Sequence, residues 1–395
     1  MEKACLKTYK GLYEKVAAFE NLHEAFRRAA KGKKGRLDCA AFAYNREREL
    51  LALRQELLEG TYRHGPYREF EVEDPKRRQV KAAPFRDRVV HHALCNVIEP
   101  LFEARFIADT FACREGKGTL AALKRCQDIA RRFADGYVLK ADISKFFYSV
   151  DHQILFDILR RKIADRRVLN LISEILDSSE DARFRDYFPG DDLFALQRPT
   201  GIPIGNLTSQ LFSNIYLGEL DRFVKQELRF KPYLRYMDDF LFFARGKADL
   251  WRVLSIVEKF LAERLRLRVH PIKRTVSPVY AGIDWVGYRV SPAFFAREAR
   301  ACDRSIWRGN AASGIRWEAA RSVFGKGVML RPENIRLRRR NIFRFRERCA
   351  RLRRLYRAGD IPLESVRDSV VSFLGYARPA QASRLMESIL ELEAF

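Results

Sequence analysis

The segment 233–244 constrains the fold most, because it sets two adjacent acidic residues between two apolar arms. The arms, Tyr-Leu-Arg-Tyr and Phe-Leu-Phe-Phe-Ala, have the composition of strands, and the Met-Asp-Asp sequence suits a turn. We therefore predict a β-hairpin that carries Asp238 and Asp239 at its tip. Carboxylates held at the end of a buried sheet are costly unless a positive charge compensates them.

A third aspartate ends another apolar strand, Tyr-Val-Leu-Lys-Ala-Asp at 137–142. If the two strands are neighbours, Asp142, Asp238 and Asp239 converge at one edge of a sheet. Oxygen ligands without histidine suit Mg²⁺. Two such ions about 3.5–4 Å apart can activate an attacking hydroxyl and stabilise a leaving oxygen. The alternative is structural: Asp142 caps a helix at 143–150, and the paired aspartates simply form a turn.

The charge of the chain points to a polyanionic partner. The 75 Lys+Arg residues outnumber 51 Asp+Glu residues, for a formal charge of +24, and this favours nucleic acid. A hydrophobic content of 47% excludes a disordered basic tail. Segment 331–357 has 12 arginines and two glutamates, with apolar residues every three or four positions. We predict there an amphipathic helix whose arginine face contacts nucleic acid and not solvent alone.

The cysteine and apolar patterns bear on the compartment. Seven cysteines are scattered without a Cys-x-x-Cys pair, which argues against a disulfide framework and against a zinc site. No apolar run reaches about 18 residues, so we expect no transmembrane helix. The first residues lack the hydrophobic segment of a signal peptide. We expect a cytoplasmic protein with no membrane partner.

Pattern changes along the chain predict its elements. Residues 1–60 have helical periodicity, interrupted by a basic loop at 31–36 that is either a solvated connector or a phosphate contact. Residues 75–89 have the pattern of a basic hairpin that leads into a helix. A long amphipathic helix is predicted at 205–229, another helix at 248–268 and a strand at 282–290.

Several blocks together resemble one family. Tyr236-Met-Asp-Asp239 resembles the signature hairpin of reverse transcriptases, and Lys140-Ala-Asp-Ile-Ser-Lys-Phe-Phe147 resembles the first catalytic strand of that family. Further blocks follow in the family's order. They are the fingers block at 111–119, the nucleotide-site block at 201–210, the lysine block at 270–273 and the primer-grip strand at 282–288. The resemblance covers about 75 to 290.

The resemblance implies an α+β fold, the right-hand polymerase with fingers, a palm built on an antiparallel sheet, and a helical thumb. It places an N-terminal helical extension at 1–60 and a basic helical thumb at 296–395. The fingers comprise 61–136 and 155–200. The palm, which is catalytic, comprises 137–154 and 201–295.

The resemblance also implies a role for each matching position. Asp142, Asp238 and Asp239 would be catalytic and bind two Mg²⁺ ions, helped by the main-chain carbonyl of Ile143. Phe147 would exclude a ribose 2′-hydroxyl and so select dNTPs; its alternative role is core packing beside Phe146. The other nucleotide-binding positions are Arg78, Arg114, Ile204, Gly205, Gln210 and Lys273. The primer grip would be formed by Trp285, Val286, Gly287 and Tyr288.

The nucleotide-site block departs from the usual Gln-Gly-x-x-x-Ser-Pro pattern, because Ile204 replaces the glutamine. In this the chain resembles the reverse transcriptases of diversity-generating retroelements, which copy template RNA with errors at adenines. An isoleucine cannot donate the glutamine's hydrogen bond to the incoming nucleotide, so geometric selection should loosen. The alternative is that Ile204 is a packing variant with ordinary fidelity.

The implied function is RNA-directed DNA polymerase, with template RNA and the RNA/cDNA duplex as partners. The retroelement resemblance adds a small, basic, oligomeric accessory protein and mutagenic retrohoming. One alternative is a phage-defence or other bacterial reverse transcriptase of ordinary fidelity. An alternative of another class is a non-catalytic RNA-binding scaffold. A complete group II intron protein is not expected, since no C-terminal Cys-x-x-Cys nuclease pattern is present.

Overall fold

The structure is a computed structural model of the 395-residue chain. It describes residues 8–72, 78–178, 186–188, 191, 193–292 and 335–380. The start of the predicted basic hairpin, 75–77, and the remainder of the predicted thumb, 296–334 and 381–395, lie outside the described residues.

The helices and strands are numbered along the chain. The helices are α1 Tyr13–Ala17, α2 Phe19–Ala30, α3 Leu37–Tyr44, α4 Arg46–Glu59, α5 Phe85–Glu103, α6 Thr119–Arg132, α7 Phe146–Ser149, α8 His152–Arg160, α9 Arg166–Asp177, α10 Leu207–Arg222, α11 Lys247–Leu265, α12 Arg339–Arg357 and α13 Leu363–Ala377. The strands are β1 Arg68–Val72, β2 Arg78–Ala82, β3 Tyr137–Asp142, β4 Tyr233–Tyr236, β5 Asp239–Ala244, β6 Thr275–Pro278, β7 Ile283–Trp285, β8 Tyr288–Val290 and β9 Ile335–Leu337.

Two compact units make up the chain. The first comprises Met1–Gly116, Lys140–Phe240 and Trp251–Arg274, and the second comprises Lys117–Leu139, Leu241–Leu250 and Thr275–Phe395. In the part of the chain that the structure describes, no helix is both long and apolar enough to span a bilayer.

A four-stranded sheet in the order β4-β5-β3-β6 carries the predicted carboxylates. Strands β3 and β5 are central, and the apolar residues of β5 from Phe240 to Phe243 are fully buried. A continuous apolar run of this kind is typical of a strand that is covered on both faces. The predicted strand at 137–142 and the predicted hairpin at 233–244 are confirmed.

The first unit packs its N-terminal helices around α5, against which α2 and α10 lie. The buried rings of Phe26, Phe42 and Phe85 form one aromatic cluster, with centroids 5.3–6.1 Å apart. The Asp165 carboxylate caps α9 and also accepts hydrogen bonds from the backbone N–H groups of Leu12 and Tyr13, at 2.7 and 3.0 Å. One acidic side chain therefore anchors two helix beginnings that are 153 residues apart in sequence.

The helix predicted at 205–229 differs from the expected amphipathic one. It begins at Leu207, and after Arg222 it continues as a π-helical turn at Phe223–Glu227. Its residues from 211 to 217 are all buried, including the polar Ser213 and Asn214. The helix is enclosed on all sides, so its polar residues are satisfied internally: Asn214 donates to the carbonyl of Ala112 at 2.9 Å.

The second unit contains the antiparallel sheet β7-β8-β9 and the helices α12 and α13. The strand predicted at 282–290 is in fact two strands joined by a turn at Val286-Gly287, where φ is +38° and +94°. The arginine helix predicted at 331–357 is confirmed only from Arg339, where α12 begins, and it buries Phe345 and Cys349. Residues 335–337 of the predicted segment instead form β9, which pairs with β8. Phe345 stacks on Phe373 of α13 with 3.7 Å between ring centroids.

Candidate active site

The hairpin that carries the predicted catalytic aspartates closes through a two-residue turn at Met237 and Asp238. Met237 has φ of +54°, in the left-handed region that few non-glycine residues occupy. The Asp238 carbonyl accepts a hydrogen bond from the Ile143 backbone N–H at 3.2 Å. This bond joins the turn to the chain just after β3, and so brings Asp142 beside the hairpin tip.

Asp142 and Asp238 form a carboxylate pair inside the first unit. Asp142 is buried, at 7% exposure, and its carboxylate is near enough to that of Asp238 for its charge to act on it. Burial, and then the negative charges of Asp142 and Asp239, raise the pKa of Asp238 to about 7. Such a shift identifies an environment that resists a second negative charge and attracts a cation.

Lys273 supplies the cation that neighbours this pair in the structure. Its ammonium forms an ion pair with the Asp142 carboxylate. The backbone supports this position, because the His270 N–H donates to the Asp142 carbonyl at 2.8 Å. The His270 ring nitrogen Nδ1 in turn accepts from the Lys273 N–H at 3.4 Å. Lys273 thus lies beside the Asp142 carboxylate, and its contact with a leaving pyrophosphate stays a prediction.

The carboxylates fit a divalent cation in charge and in donor type. Mg²⁺ is commonly held by one or two carboxylates, with waters and substrate phosphates completing its coordination. Asp142 and Asp238 supply such a pair. Within the described ranges, however, no group of three or more His, Cys, Asp or Glu side chains is arranged to hold a metal ion. The assignment of Asp239 and of the Ile143 carbonyl as further ligands therefore stays a prediction.

Phe147 and Ile204 line one small recess of the first unit, together with Gln79, Lys81 and Gly201. Phe146 is buried in the core at 2% exposure, and Phe147 is half-buried. The two rings meet edge to face, with centroids 5.5 Å apart. Of the two neighbouring phenylalanines, Phe146 therefore packs inward, which leaves the ring of Phe147 to line the recess.

The backbone around Gly205 requires a glycine. Its φ is +115°, and a Cβ there would lie 3.0 Å from Val80 Cγ1. The Lys81 N–H donates to the Ile204 carbonyl at 3.2 Å, so β2 lies directly against the nucleotide-site block. This contact holds Ile204 at the edge of the recess.

Gln210 lines a second groove of the first unit, whose walls include four lysine and arginine side chains. Lys33 and Arg36 of the 31–36 loop contribute to it, with Lys81 and Arg88. Burial, and then the charges of Arg88 and Arg36, lower the pKa of Lys33. Cations that disfavour one another in this way are stabilised by an anion in the groove.

The two arginines of the predicted nucleotide site differ in what the structure describes. Arg78 begins β2, and its side chain lies outside the described residues. Arg114 is only 6% exposed and pairs with Glu103 at 2.6 Å. Its guanidinium also donates to the carbonyls of Ile107 and Thr110. Contact between Arg114 and a nucleotide stays a prediction, and it would require the guanidinium to leave Glu103.

The predicted primer grip lies in the second unit. Trp285 and Tyr288 are buried, and Val286 and Gly287 form the half-buried turn between them. The Gly287 carbonyl accepts hydrogen bonds from the Tyr376 hydroxyl at 2.6 Å and from the Asn341 side chain at 3.2 Å. The helices α12 and α13 therefore fix the turn, which is the accessible part of the predicted grip.

Arg235 is a residue of the site that the sequence reasoning missed. It lies two positions before Met237, is fully buried, and donates to the Met237 carbonyl at 3.1 Å. A signal was available, since an arginine inside an otherwise apolar strand needs a buried acidic partner. The sequence did not indicate which acid that partner is.

Comparisons with known proteins give a consistent result. The sequence profile described as "Reverse transcriptase (RNA-dependent DNA polymerase)" matches residues 73–290. "Protein YkfC" of Escherichia coli (strain K12) is 26% identical over 285 residues, which cover 61% of this chain and 71% of that protein. "Group II intron-encoded protein LtrA" of Lactococcus lactis subsp. cremoris is 27% identical over 215 residues, which cover 53% of this chain and 33% of LtrA.

Two further matches are more limited. "Nuclear intron maturase 2, mitochondrial" of Arabidopsis thaliana is 29% identical over 145 residues, which cover 32% of this chain and 19% of that protein. Among solved structures, "Structure of apo telomerase from Candida Tropicalis" matches with a TM-score of 0.41 at 11% identity, over 58% of this chain and 47% of that one. The alignments with the intron proteins thus span a third or less of those proteins.

Proposed function

Because the chain belongs to the reverse transcriptase family, the RNA-dependent DNA polymerases, we propose that it extends a primer by copying template RNA into cDNA with divalent metal ions bound at Asp142 and Asp238. The family assignment also gives the fold class, the α+β right-hand polymerase. The observation that carries the proposed site is the buried carboxylate pair, in which the pKa of Asp238 is raised to about 7.

The proposed reaction is attack of a primer 3′-hydroxyl on the α-phosphate of a dNTP. The aspartates and Lys273 each have a place in it. When bound, two Mg²⁺ ions would activate that hydroxyl and stabilise the leaving oxygen. Asp142 and Asp238 would hold them, with Asp239 and the Ile143 carbonyl as further ligands. The Lys273 ammonium, which pairs with Asp142 in the structure, would turn to the leaving pyrophosphate and offset its charge.

The recess lined by Phe147 and Ile204 would receive part of the nucleotide. The Phe147 ring would fill the space that a ribose 2′-hydroxyl needs, which would favour dNTPs over rNTPs. The basic groove beside Gln210 would contact the phosphates of the template, because its arginines and lysines can pair with phosphate oxygens.

Primer extension on an RNA template tests the proposal. The purified chain, with Mg²⁺ and dNTPs, should produce cDNA, and Asp238→Ala should reduce the product by at least about 10³-fold. Asp157→Ala is a matched control, because Asp157 is an exposed aspartate of the first unit that pairs with Arg160. Undiminished synthesis by Asp238→Ala would contradict the metal-site assignment. RNA binding with no synthesis by the unsubstituted chain would favour the non-catalytic scaffold.

We propose further that the enzyme is error-prone at template adenines and serves mutagenic retrohoming in a diversity-generating retroelement. The support is Ile204, an apolar residue that lines the recess with Phe147 and has no side-chain donor for an incoming nucleotide. A structured template RNA and a small, basic, oligomeric accessory protein would be its partners. Sequenced cDNA should contain errors concentrated at template adenines, and Ile204→Gln should reduce them several-fold.

A second candidate is another kind of bacterial reverse transcriptase, with ordinary fidelity. The similarity to LtrA, described as a group II intron-encoded protein, favours a bacterial enzyme outside the diversity-generating retroelements. The same sequencing experiment separates the two. Equal error rates at all four template bases, unchanged in Ile204→Gln, would support ordinary fidelity.

A further inference from the structure

A fully buried ion pair lies directly beneath the catalytic turn. Arg235 of β4 and Asp221 of α10 have side chains that are 0% and 1% exposed. The guanidinium binds the carboxylate in a fork, from Nε to Oδ1 at 2.8 Å and from Nη2 to Oδ2 at 2.7 Å. Asp221 Oδ1 also accepts a hydrogen bond from the Tyr233 hydroxyl at 2.8 Å. The orientation of the guanidinium is therefore fixed from one side.

The third nitrogen of the same guanidinium reaches the turn. Arg235 Nη1 donates to the Met237 carbonyl at 3.1 Å and to Asn214 Oδ1 at 3.3 Å. The Met237 carbonyl belongs to the peptide bond that leads into Asp238. Since Met237 has φ of +54°, this peptide is held in a conformation that a non-glycine residue rarely adopts unaided.

The main chain of Arg235 is anchored as well. Its N–H donates to the Asp109 carbonyl at 3.0 Å, and its carbonyl accepts from the Phe111 N–H at 3.2 Å. Asn214, which shares Nη1, donates to the Ala112 carbonyl at 2.9 Å. One side chain thus connects α10 and the segment 109–112 to the carboxylate-bearing turn.

We infer that Arg235 is a positioning residue that sets the place of the Asp238 carboxylate, and thereby the affinity of the site for divalent cations. The inference rests on the proposed function for the role of the cation. Fold stability alone does not require a buried ion pair, because well-packed apolar residues often replace one without loss. Holding Asp221 and the Met237 carbonyl at once requires a planar fork of donors, which a lysine ammonium lacks.

Two single variants of the full-length chain separate positioning from stability. Arg235→Lys keeps a positive charge for Asp221 and removes the fork. Tyr233→Phe is the matched control, because it removes a hydrogen bond to the same carboxylate and leaves the Arg235 contact with the turn intact. For each variant we would measure Mn²⁺ binding, followed by electron paramagnetic resonance, and thermal unfolding. We would also measure the Mg²⁺ concentration that gives half-maximal primer extension.

We expect Arg235→Lys to weaken Mn²⁺ binding about tenfold and to raise the half-maximal Mg²⁺ concentration similarly, with a change of less than twofold in the KM for dNTP. Tyr233→Phe should lower the melting temperature and leave both metal measurements unchanged. Wild-type Mn²⁺ binding by folded Arg235→Lys would overturn the inference. Equal weakening in both variants would overturn it too, because instability alone would then explain the effect.

A double variant covers the case in which Arg235→Lys does not fold. Arg235→Met combined with Asp221→Leu replaces the buried pair by apolar residues of similar length, and it should fold and bind Mn²⁺ about tenfold more weakly. Wild-type Mn²⁺ affinity in that variant would contradict the inference. Failure of the unsubstituted chain to synthesise cDNA would count against the proposed function, whereas the Mn²⁺ comparison tests Arg235 independently of synthesis.

Discussion

Replacing Asp238 by asparagine should stabilise the metal-free protein while abolishing its activity. The pKa of Asp238 is raised from 3.8 to about 7, first by burial and then by the charges of Asp142 and Asp239. Each pKa unit corresponds to about 1.36 kcal/mol, so the ionised carboxylate costs the fold about 4 kcal/mol at pH 8. Asparagine removes the charge, but burial of its polar amide still costs free energy. We therefore expect the free energy of unfolding to rise by about 2–4 kcal/mol.

The pH dependence has a definite sign. An acid whose pKa is raised by folding binds its proton more tightly in the folded state, so its contribution to stability is greatest below pH 3.8 and is lost as the pH rises through 7. The gain from Asp238→Asn should therefore be large at pH 8 and small at pH 5.

Urea unfolding in EDTA at pH 5 and pH 8 measures this gain. In a unit of this size, about 2 kcal/mol corresponds to a rise of about 4–8 °C in Tm, so thermal unfolding provides a second readout. Asp157→Asn serves as the control. Because Asp157 is exposed, the stability of this variant should differ little from that of the wild type at either pH. An Asp238→Asn protein no more stable than wild type at pH 8 would refute the carboxylate-pair argument.

Three further predictions concern separate parts of the chain. Asp165→Ala should lower stability by about 1–4 kcal/mol, since two helix beginnings lose their cap. Although burial acts to raise the pKa of Asp165, its four backbone N–H donors lower it overall, so its contribution should fade as the solution is acidified below pH 3.8. Phe147→Ala should reduce the preference for dNTP over rNTP by about 10–100-fold, measured as the ratio of kcat/KM values; an unchanged ratio would return Phe147 to a packing role. Gly287→Ala should lower stability by about 1–3 kcal/mol in thermal unfolding, because φ is +94° and the new Cβ would lie 2.9 Å from the Tyr376 hydroxyl oxygen.

Local patterns in the sequence predicted the elements of the site but not the contacts among them. The apolar runs that end in Asp142 and that flank Asp238 were sufficient to identify β3 and the β4–β5 hairpin. Strand composition and turn composition are properties of neighbouring residues, so they can be recognised without tertiary information. The family resemblance then predicted which carboxylates would meet, and Asp142 and Asp238 do so.

Contacts between distant residues could not be predicted in this way. Asp165 caps a helix that begins 152 residues earlier, and Arg235 pairs with one acid among many. The break between β7 and β8 was missed because Val286 prefers extended backbone, and its φ of +38° is imposed by the surrounding fold. Tertiary structure, and not local propensity, determines all three.

The turn at the tip of the β4–β5 hairpin departs from three local rules within a few residues. Met237 has a positive φ, Asp238 is held beside another carboxylate, and Arg235 is fully buried. Proteins tolerate such departures mainly at functional sites, where surrounding structure offsets them. The adjacent strand β5 can do so, because each of its fully buried side chains from 240 to 243 contributes about 1.5–3 kcal/mol. Burial of two of these side chains therefore offsets the roughly 4 kcal/mol by which ionised Asp238 destabilises the fold. The apolar run that first indicated a hairpin therefore also stabilises the fold against the charge that its tip carries.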